Sequence, residues 1–359
     1  MELVYRMYNV GTMRPATTDE LDGWDNFVAA NPDGGMALQS RAWGDFKGRW
    51  GWQPRRYVYE LSGGRQVAAQ WLVRPAAGQG EIWYCPKGPG VTSPADFLEI
   101  VHQTNQAKLG GVFARFEAEV LEDEADHHKL EAAGLIRANR DPGSKSTVFV
   151  DLSAGEEAVL ASFNQTARRN IRKAEAGGVT VRPVHPSADN LHSMFELMKV
   201  TESRAHYGLR NEAYFRDYWS SQIAAGEAQL LFASQEGEVL AGVFVTFIGK
   251  RAWYKDGGSY DIKRELQASY LLQWEAMRWL MGRGITNYDL VGSPNRDQIG
   301  TGDSRDGLYE FKRKFNPEIT EFIGCWDLPL NTRKYRVWRR LGERVAARLA
   351  RRQPERFLY

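Results

Sequence analysis

The feature that most constrains the fold is an internal repeat, because two long segments carry the same order of structural signals. Residues 57–73 and residues 230–245 each predict two strands joined by a glycine-containing hairpin turn. Each pair is followed by a third strand, a helix, a glycine turn and a further strand. Glu117 and Asp289 lie at equivalent positions at the end of that further strand. This order predicts a duplicated α/β module with mixed sheets flanked by helices; a chance match of common hairpins is the alternative.

Chain length and two breaks in the pattern predict where the copies divide. At a soft prior of about 150 residues per domain, 359 residues correspond to two domains. A polar loop at 137–146 separates the copies, and a short strand at 320–328 is expected to return to the first domain. The predicted arrangement is a first domain of residues 1–152 plus about 317–332, a second domain of residues 153–316 and a basic C-terminal helix of residues 333–359.

The C-terminal region carries the positive charge of the chain. Residues 331–359 hold ten Lys or Arg and two Glu, so this region carries +8 and the rest −6 within a net charge of +2. Apolar residues recur there with helical spacing, at Trp338, Leu341, Val345 and Leu349. This pattern predicts an amphipathic helix. It either docks on the protein with a solvated basic face or contacts tRNA or an anionic membrane surface.

Composition excludes several classes of protein. A hydrophobic fraction of 43% and an aromatic fraction of 12% are too high for a disordered or collagen-like chain. Two cysteines, Cys85 and Cys325, cannot form a disulfide scaffold or a four-cysteine zinc site. No apolar run approaches the ~18 residues of a membrane-spanning helix, and residues 1–10 lack the pattern of a signal peptide. We therefore expect a cytoplasmic protein.

Five short segments follow one another in a recognisable order. They are residues 38–47 (LQSRAWGDFK), 84–89 (YCPKGP), 163–175 (FNQTARRNIRKAE), 253–259 (WYKDGGS) and 307–315 (GLYEFKRKF). Together they resemble the FemABX family of peptidoglycan interpeptide-bridge aminoacyltransferases, whose fold is two tandem GNAT-like (acyl-CoA N-acyltransferase-like) domains. The interval 214–228 leaves no room for the long helical arm of some members, so the chain resembles the compact, FemX-like type.

The resemblance implies transfer of an amino acid from aminoacyl-tRNA to the side-chain amine of a peptidoglycan stem peptide, on a nucleotide-linked or lipid-linked precursor. Because the donor ester is already activated, the implied reaction needs no ATP, metal or other cofactor. The sequence agrees, since it contains no G-x-x-x-x-G-K-[ST] loop and no H-E-x-x-H motif. Residues 263–270 also lack the glycines with which acetyltransferases hold the CoA pyrophosphate.

Three residues are candidates for the chemistry. The resemblance puts Lys312 beside the tRNA acceptor end, where it can stabilise the oxyanion, and Phe311 where it can stack on the terminal adenine. The alternative is a core Phe311 beside a solvated Lys312. Glu117 lies at a family position that carries an acidic residue, and Asp256 lies where some compact relatives carry tyrosine. Either carboxylate can orient or deprotonate the amine, so the general base stays open.

Other candidates are expected to bind substrate. The resemblance points to Lys47, Arg210 and Tyr214 for the cell-wall precursor. Arg210 and Tyr214 are four positions apart, so a helix would place them on one face, and a guanidinium suits phosphate or carboxylate. Tyr254 is expected to line the cleft beside Asp256, with packing in the core as the alternative.

Further basic residues and two rival functions stay open. Lys87, in a Pro-Lys-Gly-Pro turn, is expected to hold phosphate, with a purely structural turn as the alternative. Arg115 is a substrate-binding candidate, for which pairing with Glu117 is the alternative. Residues 168–173 contain four cations that suit either an RNA backbone or a solvated face. The rival functions are an acyltransferase of the same fold with another donor or a protein acceptor, and a non-catalytic protein that binds RNA or wall precursor.

Overall fold

The computed structural model describes residues 11–76, 79–139, 141–205, 208–302, 306–342 and 345. The strands are β1 (Met13–Pro15), β2 (Gln53–Leu61), β3 (Arg65–Ala76), β4 (Gly80–Cys85), β5 (Phe113–Phe116), β6 (Ile136–Arg137), β7 (Ser146–Thr147), β8 (Phe149–Asp151), β9 (Thr180–Val184), β10 (Ala228–Gln235), β11 (Glu238–Ile248), β12 (Arg251–Ser259), β13 (Asn287–Asp289), β14 (Thr320–Glu321) and β15 (Trp326–Pro329). The α-helices are α1 (Thr18–Asp22), α2 (Trp24–Ala29), α3 (Arg41–Arg49), α4 (Pro94–Gln106), α5 (Glu124–Ala132), α6 (Glu156–Ser162), α7 (Gln165–Ala176), α8 (Ala188–Ala205), α9 (Glu212–Ala224), α10 (Ala268–Met281), α11 (Asp306–Lys312) and α12 (Thr332–Val337).

The chain divides into two compact units. Unit 1 comprises the described residues of 11–142 and 322–345, and unit 2 comprises those of 143–321. The sheet of unit 1 has the strand order β1-β2-β3-β4-β5-β15-β6. The main sheet of unit 2 has the order β9-β10-β11-β12-β13-β8, and β7 and β14 form a separate pair.

The same topology recurs in the two sheets. In unit 1, β2, β3 and β4 are antiparallel neighbours, and α4 then leads to β5, which runs parallel to β4. In unit 2, β10, β11 and β12 are antiparallel neighbours, and α10 leads to β13, parallel to β12. The duplicated α/β module predicted from the sequence is therefore confirmed. We call β4 and β12 the third strands of the repeat.

Each unit has its own aromatic core. In unit 1, Trp71 on β3 makes edge contacts with Trp83 at 6.2 Å and Phe116 at 5.0 Å between ring centroids. In unit 2, Phe163 meets Trp274 of α10 at 5.7 Å. Buried aromatic pairs of this kind contribute both large apolar area and a geometric preference for edge contact. In unit 1, Phe97 of α4 also meets Phe116 of β5 at 5.5 Å, which fixes this helix against the sheet.

One boundary differs from the prediction. The strand expected to end the first domain lies instead in unit 2, where β8 pairs antiparallel with β13 through Val150 and Tyr288. In unit 1 the corresponding place beside β5 is taken by β15, which joins it through Trp326 and Phe116. Residues from Phe322 onward belong to unit 1, whereas β14 just before them pairs with β7 in unit 2. The strands that decide these assignments pair with partners more than 100 residues away in sequence, which local sequence does not encode.

The C-terminal helix is docked at its start. Helix α12 continues into a π-helical turn at Trp338–Gly342. The rings of Tyr335 and Trp338 pack against Phe113 of β5, with ring centroids 5.7 and 5.8 Å apart. Leu341 and Val345 of the predicted apolar stripe are exposed. Leu349 and the rest of the predicted helix lie outside the described residues. None of the described helices is long and apolar enough to cross a membrane.

Candidate active site

The sheet of unit 2 opens beside its third strand. Among the described residues, β12 pairs with β13 at residues 251–253, whereas β12 itself continues to Ser259 along β11. The chain after Asp289 turns away, because Val291 and Gly292 both adopt positive φ, at 50° and 72°. We call the space beside residues 254–257 the opening of unit 2, because Thr201 of α8 already binds the backbone N–H of Ser259. A gap of this kind gives a substrate access to the edge of a rigid sheet.

Lys312 is anchored at this turn. It ends α11 and is buried, with 1% of its surface exposed. Its ammonium donates hydrogen bonds to the carbonyl oxygens of Val291 and Gly292, the latter at 2.6 Å. A buried lysine is tolerated only when its donors are used, so these carbonyls hold the charge in one place.

A β-bulge separates two predicted neighbours. Val245 pairs with Tyr254 and Phe244 with Asp256, so Lys255 is the extra residue of β12. A bulge breaks the alternation of side chains along a strand. Tyr254 therefore packs on the core cluster beneath α10, whereas Asp256 lies on the other face and accepts a hydrogen bond from Trp219 of α9 at 2.9 Å. The expectation that Tyr254 lines a cleft beside Asp256 is wrong for this reason.

Arg210, Tyr214 and Asp256 form a second group on the α9 face. The guanidinium of Arg210 lies 4.3 Å from the ring centre of Tyr214. Partial burial lowers the pKa of Arg210 by desolvation. Burial, with a contribution from the Asp256 charge, raises the pKa of Tyr214 to about 12, although the charge of Arg210 opposes this. The group thus offers a poorly hydrated cation beside a neutral phenol, which suits an anionic ligand.

Phe311 has an aromatic environment of its own. Its ring lies 5.0 Å from Tyr270 and 5.3 Å from Phe315, and its side chain is half-buried. Phe315 is in the core. The exposed part of the Phe311–Tyr270 pair leaves a ring surface at the end of α11, beside the residue that carries the ammonium.

Unit 1 holds a separate acid–base group. Glu117 follows β5 and is buried; its Oε2 accepts a hydrogen bond from the Tyr84 hydroxyl at 2.5 Å, and its Oε1 lies 3.2 Å from the Lys87 Nζ. The backbone N–H of Lys87 also donates to Glu117, at 3.3 Å. The structure therefore joins two of the predicted residues, Glu117 and Lys87, through a carboxylate that already has several partners.

The other two predicted residues of unit 1 are buried. The Lys47 Nζ lies over the rings of Trp43 and Trp52, at 5.5 and 5.6 Å. Arg115 is 1% exposed and forms a bidentate ion pair with Asp327, at 2.6 and 2.8 Å. This contact with Asp327 on β15 favours a structural role for Arg115 over the predicted substrate binding.

Sequence reasoning missed the residues that support Lys312. Asp289 is buried, and its Oδ1 accepts hydrogen bonds from the Thr147 hydroxyl and, at 2.6 Å, from the Val291 N–H. The repeat had matched Asp289 with Glu117, which was the available signal. Within the described residues no group of His, Cys, Asp and Glu is arranged to hold a metal ion.

Comparison with known sequences identifies relatives. The model of the FemAB family matches residues 145–233 and 220–342. A UDP-N-acetylmuramoylpentapeptide-lysine N(6)-alanyltransferase of Weissella viridescens is 25% identical over 331 residues, which cover 88% of this chain and 95% of the relative. A lipid II:glycine glycyltransferase of Staphylococcus aureus (strain MRSA252) is 21% identical over 403 residues, covering 89% of this chain and 94% of the relative.

Solved structures support the fold. The crystal structure of FemX superimposes with a TM-score of 0.78 at 19% identity, covering 91% of this chain and 99% of that one. A tandem GNAT protein from the clavulanic acid biosynthesis pathway gives 0.51 at 13% identity, covering 89% and 98%. The mixed α/β fold of two tandem GNAT-like domains, expected from the sequence, is confirmed.

Proposed function

Because the chain belongs to the FemAB family, we propose that it transfers an amino acid from an aminoacyl-tRNA to the side-chain amine of the stem peptide of a peptidoglycan precursor. The names of two relatives support an acceptor of this class, since one acts on a UDP-linked muramoyl-pentapeptide lysine and the other on lipid II. The observation that carries the proposal is the buried ammonium of Lys312, held in a fixed direction beside the opening of unit 2.

The proposed chemistry needs one stabilised charge. The neutral amine attacks the ester carbonyl carbon, a C–N bond forms, and the carbonyl oxygen becomes an oxyanion. The bond to the ribose oxygen then breaks, and the ribose hydroxyl leaves with the proton that the amine gives up. An ammonium already positioned by two carbonyls costs no reorganisation when that oxyanion forms. Phe311, one residue earlier on α11, offers a ring surface for the terminal base.

The proposed contacts of unit 2 with the precursor lie on the α9 face of β12. Arg210, on the α9 face, presents a guanidinium that matches phosphate or carboxylate of the precursor, and Tyr214 holds it by stacking. Asp256 on the same face is proposed to orient the amine, and Glu117 in unit 1 remains the other candidate for that role. Lys47 and Lys87 of unit 1 stay proposed contacts to anionic groups of the precursor.

The proposed donor is a polyanion, and unit 2 exposes cations suited to it. Asn164 caps α7, and the apolar side of this helix is buried. Arg169, Arg172 and Lys173 are exposed on the opposite side of the helix. Cations along a helix can track an RNA backbone, and binding of that kind weakens steeply as salt increases. A salt-dependent affinity for tRNA would support this assignment.

The test is a transfer assay. Purified protein is incubated with a pool of charged tRNAs and either UDP-linked or lipid-linked stem pentapeptides, and mass spectrometry reads the mass added to the acceptor. We expect a single-residue increment that disappears when the tRNA is deacylated beforehand, and its size identifies the amino acid. Tight binding without any increment would instead support the non-catalytic rival, and transfer to a peptide or from another donor would support the second acyltransferase.

We also propose peripheral contact with an anionic membrane surface from the cytoplasmic side. Val337, Leu341 and Val345 are exposed apolar residues at four-residue spacing, and the cations around them, such as Arg336 and Arg340, are exposed as well. An apolar row between cations suits an anionic bilayer better than RNA, which gains little from aliphatic side chains. Co-sedimentation with phosphatidylglycerol vesicles should weaken in Leu341→Glu; equal binding of both proteins would contradict the contact.

A further inference from the structure

The turn that follows β13 has an unfavourable backbone. Val291 lies in the left-handed region, at φ 50°, which β-branched residues rarely occupy. Its side chain is 36% exposed, so burial does not explain the conformation. A strained residue of this kind persists only where neighbouring contacts hold it. The contacts at this position must therefore supply the restraint.

The strained turn has a geometric consequence for Lys312. In an extended chain, successive carbonyls point to opposite sides, so two consecutive carbonyls cannot meet one atom. The positive φ angles of Val291 and Gly292 curl the chain and direct both carbonyls to the same Nζ. The location of the ammonium is thus set by the backbone of this turn as well as by the helix that carries Lys312.

One carboxylate restrains the turn at its start. Asp289 accepts the N–H of Val291 at 2.6 Å, which closes a short ring across the first bend. The same Oδ1 accepts the hydroxyl of Thr147 on β7, so the carboxylate is itself held from a neighbouring segment. Asp289 is buried, where hydrogen bonds to a charged acceptor are strong.

We infer that Asp289 and Thr147 are positioning residues for Lys312, acting through the Val291–Gly292 turn. Asp289 touches no reacting atom in this assignment; it fixes the carbonyls that fix the ammonium. Its counterpart in the repeat, Glu117, also accepts a backbone N–H, but that of Lys87 after β4, and it pairs directly with the Lys87 side chain. The inference rests on the proposed function for its effect on turnover, but its geometric part does not.

The geometric part is tested by chemical labelling. Folded protein is treated briefly with acetic anhydride, and peptide mass spectrometry measures acetylation of Lys312, with the buried Lys47 of unit 1 as internal control. We expect Asp289→Ala and Thr147→Val to raise Lys312 labelling by roughly fivefold or more through local opening, with Lys47 unchanged. Thr147→Ser keeps the hydroxyl and should label as wild type. Equal rises at both lysines would mean general loosening and would overturn the inference, as would no rise at Lys312.

The functional part is tested by kinetics of the same variants. Asp289→Ala should lower kcat by about 10- to 100-fold with little change in KM for the precursor, since misplacing a reacting group by about 1 Å costs as much. Asp289→Asn retains an Oδ1 acceptor and should recover most of the loss. Val291→Gly removes the steric conflict, so it should not lower Tm, yet it should lower kcat because the turn is freer.

A parallel measurement on Lys312→Met separates the two proposals. If Lys312→Met is inactive and Asp289→Ala retains wild-type kcat, the positioning role is overturned while the proposed function stands. If Lys312→Met retains transfer, the proposed role of Lys312 fails, and the labelling result alone then decides whether Asp289 and Thr147 position its side chain. If Asp289→Ala lowers Tm without changing the kcat of the folded fraction, the residue is merely structural.

Discussion

The two copies of the repeat differ in which neighbour the third strand keeps. In unit 1, β4 stays paired with β5 to its last residue, where Cys85 lies opposite Phe116. Its pairing with β3 stops earlier, at Tyr84 opposite Leu72. In unit 2, β12 stays with β11 as far as Ser259 and leaves β13 instead. One topology thus gives two different gaps in the sheet.

The gap in unit 1 is filled by amide side chains. Asn31 exchanges two hydrogen bonds, both of 2.9 Å, with the backbone of Ala68 on the free side of β3. Gln39 does the same for Gln70, and its amide also reaches the carbonyl of Pro86. Side chains therefore replace the missing strand and satisfy its backbone groups. The gap in unit 2 lies beside the turn at Val291 and Gly292, whose carbonyls hold Lys312. Structural amides thus close the gap of unit 1, whereas the gap of unit 2 adjoins the candidate catalytic lysine.

The strongest test of this contrast removes one lysine from each unit. Lys312→Met should lower turnover by about 100- to 1000-fold, the cost of losing one oxyanion donor. Lys87→Met, the matched change in unit 1, should cost far less, because Lys87 pairs with Glu117 and is expected only to bind substrate. Single-turnover transfer rates, with circular dichroism as a check of folding, measure both. Comparable losses in the two variants would break the contrast.

The second test addresses the buried ion pair of unit 1. Asp327→Asn should lower the free energy of unfolding by about 3–5 kcal/mol, because it leaves the buried Arg115 guanidinium without its charge partner. Urea unfolding gives the value. The double variant Arg115→Met with Asp327→Leu removes both charges and is expected to recover much of the loss; if it does not, the pair has a role beyond balancing charge.

A smaller effect is expected from the amides that fill the gap of unit 1. Asn31→Ala leaves the N–H and the carbonyl of Ala68 without partners, which should cost about 1–3 kcal/mol of stability. Hydrogen exchange should increase at Ala68 while the sheet of unit 2 stays protected. An unchanged exchange rate at Ala68 would show that the strand edge does not depend on Asn31.

The smallest effect concerns the titration of Tyr214. Asp256→Asn should lower its pKa from about 12, because a negative charge no longer opposes the tyrosinate; Arg210→Met should raise it, because a stabilising cation is lost. Ultraviolet difference titration against Tyr214→Phe reports both shifts. The raised pKa stabilises the folded state fully below the unfolded value of about 10, and this contribution is lost as the pH rises from there to about 12. Shifts of the same sign in both variants would contradict the arrangement.

Local sequence was sufficient for much of the fold. Hairpin turns, third strands and the helices before β5 and β13 follow from patterns within about 60 residues, and the structure confirms them. The position of β8 and the partner of Arg115 were not accessible in this way. Arg115 and Asp327 are 212 residues apart in sequence. Local propensity is compatible with an ion pair of Arg115 with Glu117 as well as with Asp327, so it could not identify the partner.

The candidate site was predictable in its residue types more than in its geometry. Lys312 was found through its motif, but the backbone conformation of Val291 that directs carbonyls to it contradicts the preference of valine, so no propensity could indicate it. The bulge at Lys255 had the same effect on Tyr254 and Asp256, because one extra residue reverses which face each side chain takes. The conformation of Val291 and the bulge at Lys255 are therefore two features of the candidate site that only the structure reveals.

The insertion of β15 between β5 and β6 also sets an order of events on the ribosome. Synthesis proceeds from the N-terminus, and a domain folds when its whole sequence has emerged. All the described residues of unit 2, from 143 to 321, are synthesised before β15, whereas the sheet of unit 1 waits for Trp326–Pro329. The sheet that is begun first therefore receives its last strand after residues 143–321 are made, and until then one edge of β5 lacks its native partner.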